Sequence, residues 1–462
     1  MTEKIINKKT QINAPAADLF AWHAREGAIN RLTPPWAPLK MISRNGKGID
    51  KGVEVKFKMK AMGIPMIWEA EHIEYEENRM FRDRQVKGPF GLWEHTHRFH
   101  DIADNQSIME DQVKFKLPMQ PFSLPFYGYA MKELDRMFTY RHHVLKADME
   151  NWVGNIKPQR ILISGASGTI GQALVPFLRT CGHEVIRLVR DPDTQAPDAL
   201  YWDPYKNILD LAAAGPIDSV INLNGVDITR GKWTEKQKKR IVDSRVIPTQ
   251  VLVEGMRAMA RPPATFISSS AIGLYGEGGD LELTEDTPKG DSFISDVCHR
   301  WEAASLDADR RGIRTIQLRI GIVMTPAGGA LKRMFIPFAM GVGARFSKGR
   351  QYMSWISMED VLAGILYLLG NEDIHGPVNL TAPVPETNKA FCKTLGRVLS
   401  RPVFLTIPAP VIAALWGNMG KETMLTSARV IPTKLLDSGY EFTHANLEVA
   451  FRHLLGRHGI NG

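Results

Sequence analysis

Hydrophobic and polar residues alternate along four segments between residues 52 and 116. In residues 52–60, alternation would place apolar side chains on one face of a strand and charged ones on the other: Val53, Val55, Phe57 and Met59 against Glu54, Lys56, Lys58 and Lys60. Such alternation is typical of a half-buried antiparallel strand. Residues 66–74, 92–100 and 107–116 have similar lengths and are separated by turn-rich stretches. The pattern therefore predicts an antiparallel sheet.

The spacing becomes helical after residue 130. Positions three and four residues apart then carry mostly apolar side chains: Met131, Leu134, Phe138, Arg141 and Leu145. A strand meander closed by one long helix would enclose a cavity between the sheet and the helix. We therefore expect residues 1–152 to form an α+β domain with an internal cavity.

The pattern changes again after a short segment that contains glycine, proline and charge, VGNIKPQR, and we place a linker at 153–158. Beyond it, short apolar strands alternate with helices, which is typical of a parallel sheet. We predict strands at 161–164, 218–225, 263–276 and 314–324. The basic stretch 230–245 precedes or forms an intervening helix, and we interpret it mostly as solvent-exposed surface, with contact to a phosphorylated ligand as the alternative. The remainder of the chain is therefore predicted to be α/β.

A glycine-rich segment joins the first of these strands to a helix. Gly165, Gly168 and Gly171 follow the apolar residues 161–164 and open a segment with apolar residues at helical spacing. In this context the first glycine permits a tight turn, the second lets the backbone approach a pyrophosphate, and the third lets the helix pack on the strand. Backbone N–H groups at the helix start would hold the negative charge. The segment predicts a dinucleotide site on a Rossmann-type sheet.

The end of the next strand indicates which dinucleotide binds. An Asp or Glu about 20 residues after the glycines would bind the ribose 2′-hydroxyl of NAD. Here Arg190 ends the segment HEVIRLVR, and a guanidinium suits a 2′-phosphate, so we predict NADP(H). NAD(H) stays open because a shift of one residue would put Asp191 at the ribose, and Arg190 could also be a surface residue. The predicted cofactor-binding residues are Gly165, Ser167, Gly168, Thr169, Ile170, Gly171, Arg190, Asn224, Gly225 and Ser268.

Composition excludes several classes of protein. The 462 residues carry a net charge of +8, with 44% hydrophobic and 23% charged residues, which is an ordinary balance for a soluble protein of about two to four domains. The sequence shows neither the ~20-residue apolar run of a membrane helix nor a signal peptide, and its three scattered cysteines fit a reducing cytosol. The sequence lacks the long basic block that is typical of proteins that bind nucleic acid. We expect a cytoplasmic protein that binds small molecules and make no prediction of its oligomeric state.

Two histidines, His95 and His97, share one face of the predicted strand 92–100 with Trp93 and Phe99. A His-x-His pair can bind a metal, but metal sites usually have three or four ligands and the sequence places no third one. We therefore expect no metal site, and either a pocket-lining or a hydrogen-bonded structural role for the two histidines.

Residues 3–150 resemble the START-like ligand-binding superfamily, also called SRPBCC. The resemblance rests on INAPAADLFAWHAR near the start, GPFGLWEHTHRF in the middle and FTYRHHVL in the predicted helix. It implies a helix-grip fold with a deep apolar pocket, which in the superfamily holds lipids, sterols or polyketides. It does not name a ligand for this chain.

Residues 159–456 resemble the extended short-chain dehydrogenase/reductases and, more narrowly, the branch of predicted nucleoside-diphosphate-sugar epimerases. The matching motifs are GASGTIG, NLNG, SSSAIGLYG, GGAL, SWISMED and GPVNLTAP. That branch carries a small C-terminal domain of unknown function, matched here by about 403–455. The resemblance implies an NADP-binding Rossmann domain at 159–322. It also implies a substrate lobe with the small C-terminal domain at 323–462, which includes returning Rossmann elements.

The family places a Ser or Thr after the fifth strand and Tyr-x-x-x-Lys on the next helix. The hydroxyl groups bond the substrate oxygen, and the lysine lowers the tyrosine pKa so that the phenolate can serve as a base. Ser270 matches the first position, one residue out of register. An alignment anchored on Glu302 puts Ile294 and Cys298 at the tyrosine and lysine positions. The usual acid–base pair is therefore absent.

Replacement acid–base groups can be sought on the same helix and on the loop before it. Cys298 could be a nucleophile or a base, but a buried packing role is the simpler interpretation because a thiolate needs a cationic neighbour. Tyr275 is, with Ser270, our candidate catalytic residue, although it could equally be a packing residue. The loop also offers further candidates: Asp280, Glu285 and Lys289. Arg319 fits the family's arginine at the end of the sixth strand, which says little about its role.

Three functions remain open. The first is an NADP(H)-binding oxidoreductase or epimerase acting on a carbonyl or sugar-type substrate with a non-standard base. The second is a non-catalytic NADP(H)-sensing or scaffold module, which the missing tyrosine and lysine favour. The third is a carrier of a lipid or another apolar ligand with an attached redox domain. The intact glycine segment argues against a structural relic.

Overall fold

The computed structural model describes residues 3–37, 39–61 and 63–458, and the chain in it forms two units. The first unit comprises residues up to Ile156 together with 176–182 and the segment from Leu455 onward. The second comprises 157–175 and 183–454. The linker predicted at 153–158 lies where the first unit gives way to the second, whereas the predicted boundary at 322–323 stays a prediction.

The first unit is built on one seven-stranded antiparallel sheet with the strand order β1-β7-β6-β5-β4-β3-β2. Its strands are β1 (Lys4–Ile12), β2 (Lys40–Arg44), β3 (Glu54–Ala61), β4 (Ile64–Glu76), β5 (Met80–Lys87), β6 (Leu92–Ala103) and β7 (Gln106–Lys116). Two short helices, α1 (Ala16–Ala24) and α2 (Ala28–Leu32), follow β1, and the long helix α3 (Tyr127–Asn151) follows β7. The four predicted strands and the predicted helix are confirmed; β4, β6, β7 and α3 have longer bounds than predicted, whereas β3 begins two residues later and is one residue shorter.

Three strands of this sheet, β1, β2 and β5, were missed by the hydrophobic pattern. β1 buries only Ile6 and Ile12 among its nine residues, and β5 buries only Phe81. β2 buries none of its five residues. Strands of this kind are held by ladder hydrogen bonds rather than by a continuous apolar face, so they leave little alternation to detect.

The face of β6 that points to α3 carries four buried side chains, as the alternation predicted. Trp93 belongs to one hydrophobic cluster with Phe115 and Phe138, and Phe99 belongs to another with residues of α1 and α3. His95 and His97 lie between them on the strand and are 3% and 4% exposed. The space in which an apolar pocket was expected therefore contains buried histidines.

The second unit contains strands and helices in alternation. Its strands are β8 (Arg160–Ser164), β9 (Glu184–Val189), β10 (Ala199–Asp203), β11 (Ile208–Leu209), β12 (Ser219–Asn222), β13 (Thr265–Ala271), β14 (Glu282–Leu283), β15 (Arg314–Ile320), β16 (Ile322–Met324), β17 (Ala344–Phe346), β18 (Tyr352–Met353), β19 (Trp355–Ser357), β20 (Gly376–Leu380), β21 (Glu386–Thr387), β22 (Leu405–Ile407) and β23 (Arg429–Val430). Its helices, counting α4 whose last turn falls in the first unit, are α4 (Thr169–Thr180), α5 (Glu235–Ala258), α6 (Phe293–Asp309), α7 (Gly329–Ala339), α8 (Met358–Gly370), α9 (Asn388–Val398), α10 (Ala409–Gly420), α11 (Thr433–Asp437) and α12 (Leu447–Leu454). Within the described residues, no helix combines the length and the apolar character needed to cross a membrane.

Eight of these strands form the main sheet in the order β11-β10-β9-β8-β12-β13-β15-β20. All neighbouring pairs are parallel except β10 and β11. The sheet grows in opposite directions from β8, with β9 on one side and β12 on the other, and ligands of open α/β sheets bind at the strand ends beside such a point. This is the Rossmann-type α/β fold that the sequence predicted.

The predicted strand 314–324 is in fact two strands, and this part of the prediction was wrong. β15 pairs with β13 and β20, whereas β16 pairs with β19. The break falls at Gly321, where a Cβ would lie 2.8 Å from Ser354 O, so the chain passes close to a neighbouring backbone as it leaves the sheet. The predicted strands 218–225 and 263–276 are also shorter, because the chain leaves the sheet after Asn222 and after Ala271.

Candidate functional site

The glycine-rich turn connects β8 to α4 at the carboxyl edge of the main sheet. Gly165 has a φ of 77°, and a Cβ there would lie 2.6 Å from Leu223 O, so both conformation and space require glycine. A Cβ on Gly171 would lie 2.6 Å from Ala166 Cα, so the helix packs directly on the backbone of the turn. These are the contacts that the first and third glycines of a dinucleotide-binding turn make.

Gly168 has a different environment. Apart from its chain neighbours, the single heavy atom within 4 Å of an added Cβ is Gly165 O at 3.2 Å. Ser167, Thr169 and Ile170 flank it at the start of α4. Because a helix start has N–H groups without intrahelical partners, the open side of Gly168 is suited to a pyrophosphate.

The loop that precedes α7 approaches the same helix start. A Cβ on Gly328 would lie 2.5 Å from Thr169 Oγ1, so this loop can pass the start of α4 only with glycine at that position. The resemblance had included GGAL without giving it a role. The structure therefore adds Gly328, at the end of the loop before α7, to the boundary of the candidate cofactor site.

A buried network of polar side chains fixes the loop after β12. Asn224 Nδ2 donates to Ser164 Oγ and to Asn222 Oδ1, both at 2.7 Å. Asn222 Nδ2 donates to Thr249 Oγ1 at 2.8 Å and to Ser268 Oγ at 3.3 Å. The network thus connects two predicted cofactor residues, Asn224 and Ser268, and Ser268 is only 1% exposed. In this structure the side chains of Asn224 and Ser268 help to fix the conformation of the loop after β12.

Asn222 and Thr249 were not predicted as part of the site. Both are fully buried, and Asn222 ends a four-residue strand in which every residue is buried. A polar amide in such a position needs hydrogen-bond partners, because an unpaired buried polar group is costly. That requirement was the signal in the sequence that could have identified Asn222.

Arg190 and Asp191 follow β9, and their side chains have different surroundings. Arg190 is exposed, and its guanidinium makes no hydrogen bond to any residue that the structure describes. Asp191 Oδ1 accepts a hydrogen bond from the backbone N–H of Asp193 at 3.1 Å. The carboxylate is thus engaged by its own turn, whereas the guanidinium is available to a ligand.

Arg245 of α5 lies beside the loop that contains Gly225. A Cβ on Gly225 would lie 3.2 Å from the Arg245 Cζ, and Arg245 Nη2 donates to Val226 O at 3.2 Å. The guanidinium also lies over the Trp301 ring, 5.0 Å from its centroid. Burial lowers the pKa of Arg245 from its ordinary value.

The stretch 230–245 lies mostly at the surface, as the sequence interpretation expected, and its last residue is an exception. Ile241, Ser244 and Pro248 are buried on α5, and residue 245 falls on their side of the helix. Arg245 therefore faces the Gly225 loop and Trp301, although it belongs to a strongly basic stretch.

Ile294 and Cys298 lie one turn apart on α6 and both contact the loop after β13. A Cβ on Gly273 would overlap Ile294 Cγ2 and would lie 3.8 Å from Cys298 Sγ. Cys298 is 2% exposed, and burial raises the pKa of its thiol to about 12, although Arg245 acts in the opposite direction. At neutral pH the thiol is protonated, which fits the packing role.

Ser270 and Tyr275, the two candidate catalytic residues, belong to one buried network. Ser270 Oγ donates to Glu302 Oε1 at 2.7 Å, and Arg319 pairs with both oxygens of that carboxylate. Arg319 Nη1 donates to Tyr275 Oη at 2.9 Å, and Tyr275 Oη donates to Asn379 Oδ1 at 2.7 Å. Burial raises the pKa of Tyr275 to about 12 despite the nearby guanidinium. Both hydroxyl groups are thus engaged in contacts that stabilise the fold.

The other three acid–base candidates on this loop differ in their exposure to solvent. Glu285 is buried and accepts from the backbone N–H of Asn379 at 3.0 Å. Asp280 and Lys289 are exposed, and Lys289 Nζ donates to Asp296 at 2.9 Å. The structure therefore gives Glu285 a structural contact and leaves Asp280 and Lys289 at the surface.

Comparison with known families and proteins was informative for the second unit. Residues 161–380 match the model of the NAD dependent epimerase/dehydratase family, and residues 407–454 match a domain of unknown function, DUF1731. The chain is 38% identical over 299 residues to the epimerase family protein Mb2239 of Mycobacterium bovis, an alignment that covers 65% of this chain and 98% of that protein. The resemblance of the second unit to the epimerase family and the presence of the C-terminal domain of unknown function are confirmed.

The solved structures that are similar to this chain include a human protein and a bacterial one. The human epimerase family protein SDR39U1 (isoform 2), solved with NADPH, is 31% identical with a TM-score of 0.58 and covers 64% of this chain and 98% of its own. A nucleoside-diphosphate sugar epimerase from Corynebacterium glutamicum is 27% identical with a TM-score of 0.80 and covers 99% of this chain and 91% of its own. The second similarity therefore extends over both units.

Proposed function

Because the chain belongs to the NAD dependent epimerase/dehydratase family, we propose that its second unit binds NADP(H) and transfers hydride to or from a carbonyl or sugar-type substrate. The observation that carries this proposal is the turn from β8 to α4. Its first and third glycines are excluded from substitution by the backbone, while the side of Gly168 stays open. A turn that had lost its ligand would not need this combination.

The preference for NADP(H) over NAD(H) rests on Arg190. Its side chain is exposed at the end of β9, where a guanidinium can bind a ribose 2′-phosphate through a bidentate contact. The alternative residue, Asp191, has its carboxylate bound to the backbone N–H of Asp193. The NADPH in the structure of human SDR39U1, which is 31% identical, supports the same choice.

Arg245 is our candidate for the positive charge that lysine provides elsewhere in the family. It reaches the Gly225 loop from α5, and its field acts on Cys298, which stands at the lysine position. A guanidinium there would hold the ribose next to the nicotinamide and would stabilise negative charge on a substrate oxygen. When the carbonyl is reduced, water or an exposed side chain would supply the proton that the alkoxide takes up, and when the alcohol is oxidised the same group would accept the hydroxyl proton.

The cofactor part of the proposal is tested by titrating NADPH and NADH into the full chain with fluorescence detection. We expect tighter binding of NADPH, and we expect Arg190→Ala to weaken NADPH binding by about 10- to 100-fold, the equivalent of about 1.5–3 kcal/mol for one contact to a charged group, while NADH binding is unchanged. Arg311→Ala removes another exposed arginine and serves as the control. Equal affinities of the parent protein for the two cofactors would contradict the assignment.

A non-catalytic NADP(H) sensor is the second candidate function, and the burial of Ile294 and Cys298 favours it. The two candidates separate in one experiment, in which NADPH oxidation is followed by absorbance against a panel of aldehydes, ketones and nucleotide sugars. Turnover with any of them supports the enzyme. Tight NADPH binding without turnover on the whole panel supports the sensor.

For the first unit we propose a helix-grip ligand-binding domain of the START-like type. The antiparallel seven-stranded sheet and the long helix α3 after its last strand support this assignment. The interior beside β6 contains histidines and carboxylates as well as aromatic residues, so its ligand need not be wholly apolar. This assignment is tested by a solved structure of the full chain with lipid or polyketide added.

A further inference from the structure

Four ionisable side chains from three adjacent strands meet inside the first unit. His95 and His97 come from β6, Asp83 from β5 and Asp111 from β7, and strand register places Asp83 opposite His95 and Asp111 opposite His97. One ligand atom each from Asp83, His95 and His97 lie within 4.8 Å of one another. Asp111 Oδ1 is 3.2 Å from His95 Nε2 and 2.7 Å from His97 Nδ1. The sheet thus supplies the third ligand that the sequence did not reveal.

Three of these atoms are close together without being aligned for hydrogen bonds. His95 Nε2, His97 Nδ1 and Asp111 Oδ1 are buried, and none makes a hydrogen bond to a residue within the described ranges. The three residues are only 2–4% exposed. Buried polar atoms are nearly always paired, so two unpaired ring nitrogens that lie 3.2 and 2.7 Å from one unpaired carboxylate oxygen call for a common partner. A cation between them would satisfy all three.

We propose that the first unit holds a divalent transition-metal ion of the zinc class, bound by His95 Nε2, His97 Nδ1 and Asp111 Oδ1. Zinc binds histidine nitrogen at about 2.0–2.1 Å and carboxylate oxygen at about 2.0–2.2 Å, so neighbouring ligand atoms of a tetrahedral site lie about 3.3 Å apart. The separation of 3.2 Å agrees with this spacing, and the separation of 2.7 Å between His97 Nδ1 and Asp111 Oδ1 would widen by about 0.6 Å around the ion. Two histidines and one carboxylate leave a position for water or a small ligand, as in catalytic zinc sites.

Neighbouring side chains orient the proposed ligands. Asp83 Oδ2 lies 3.4 Å from His95 Nδ1, the ring nitrogen opposite the proposed ligand atom. His142 Nε2 of α3 donates to Asp111 Oδ2 at 3.0 Å and leaves Oδ1 for the ion. Metal-binding histidines and carboxylates commonly have such outer partners, which fix their orientation and tautomer.

Two carboxylates lie beside the ring nitrogens of the cluster. Asp111 supplies a proposed ligand atom, and Asp83 lies 3.4 Å from His95 Nδ1. The guanidinium of Arg141 on α3 also attracts both carboxylates. A metal ion requires deprotonated ring nitrogens, so protons compete with it for the site.

Two variants and one control test the site in the full chain. His97→Phe removes the ligand nitrogen but keeps a ring in the stack on Phe81, whose centroid is 4.0 Å away. Asp111→Asn removes the ligand charge and keeps the shape and a hydrogen-bonding partner for His142. His100→Ala removes an exposed histidine from the same strand and should behave like the parent protein.

The chelator-treated proteins are titrated with Co²⁺, followed by its visible absorption, and the Co²⁺ is then displaced with Zn²⁺. We expect an intense Co²⁺ spectrum that needs His97, and a loss of affinity of about 100-fold or more in both ligand variants. Circular dichroism and thermal melting show whether each variant is folded. Zn²⁺ should raise the melting temperature of the parent and of His100→Ala, but not that of the two ligand variants.

The proposal is overturned if the parent shows no saturable Co²⁺ spectrum, or if both ligand variants bind Co²⁺ as the parent does. If one ligand variant does not fold, Co²⁺ binding by the other variant tests the proposal. NADPH binding is measured on the same samples, so a failure of this inference is distinguished from a failure of the cofactor assignment.

Discussion

Gly168 and Gly171 stand three residues apart in the same turn, and the structure predicts opposite consequences for their substitution. A side chain on Gly168 points where the protein has one atom within 4 Å, Gly165 O at 3.2 Å. A side chain on Gly171 would overlap Gly165 O and lie 2.6 Å from Ala166 Cα. Gly168→Val should therefore spare the fold and remove the cofactor, whereas Gly171→Ala should damage the fold itself.

The magnitudes follow from these contacts. Gly168→Val places a branched side chain where a pyrophosphate would lie, and the loss of two hydrogen bonds to charged phosphate would cost about 3–6 kcal/mol, which is about 100-fold in affinity or more. Its effect on unfolding should stay within about 1 kcal/mol, because φ is not in the left-handed region and the neighbouring atom can yield slightly. Overpacking at Gly171 should cost about 1–3 kcal/mol of stability.

The assay is a pair of measurements on each variant, NADPH titration by fluorescence and thermal unfolding by circular dichroism. A loss of 1 kcal/mol lowers the melting temperature by about 2–4 °C in a domain of 150–250 residues, so Gly171→Ala should be clearly separated from the parent and Gly168→Val should not. Normal NADPH affinity in a folded Gly168→Val variant would refute the placement of the cofactor at this turn.

Two further predictions concern α5 and α6. Cys298→Ser should change turnover by less than about tenfold, that is, less than about 1.4 kcal/mol of barrier, because the thiol is buried and protonated; a loss beyond a hundredfold with unchanged cofactor affinity would make Cys298 catalytic. Arg245→Gln should lower kcat/KM at least about tenfold and Arg245→Lys should restore part of it, if the guanidinium contacts the cofactor or the substrate oxygen. A lower melting temperature with unchanged kinetics in Arg245→Gln would show that its role is only structural.

Local sequence was sufficient to predict the glycine turn, and it was insufficient for the acid–base site. The turn is defined by seven consecutive residues, 165–171, whose glycines contact one another and the residue after β12. Arg245, by contrast, is brought to the Gly225 loop from a helix that begins ten residues further along the chain. A guanidinium in a basic stretch is usually solvated, and helical spacing singles out residue 245 only once the structure shows which side of α5 is buried.

The histidine cluster could be predicted only in part from the sequence: alternation indicates which residues are buried, but it does not indicate which of them meet. In the segment 107–116 the apolar face contains Met109 and Val113, and Asp111 lies between them on that face, so a buried carboxylate could have been inferred from alternation alone. Its position opposite His97 depends on an irregularity of the hairpin between Asp101 and Ala103, because a slip of one residue in register would face Asp111 away from both histidines. A sequence pattern assigns residues to faces, but the hairpin geometry decides which of them meet. The metal proposal therefore rests on register, which only the structure supplies.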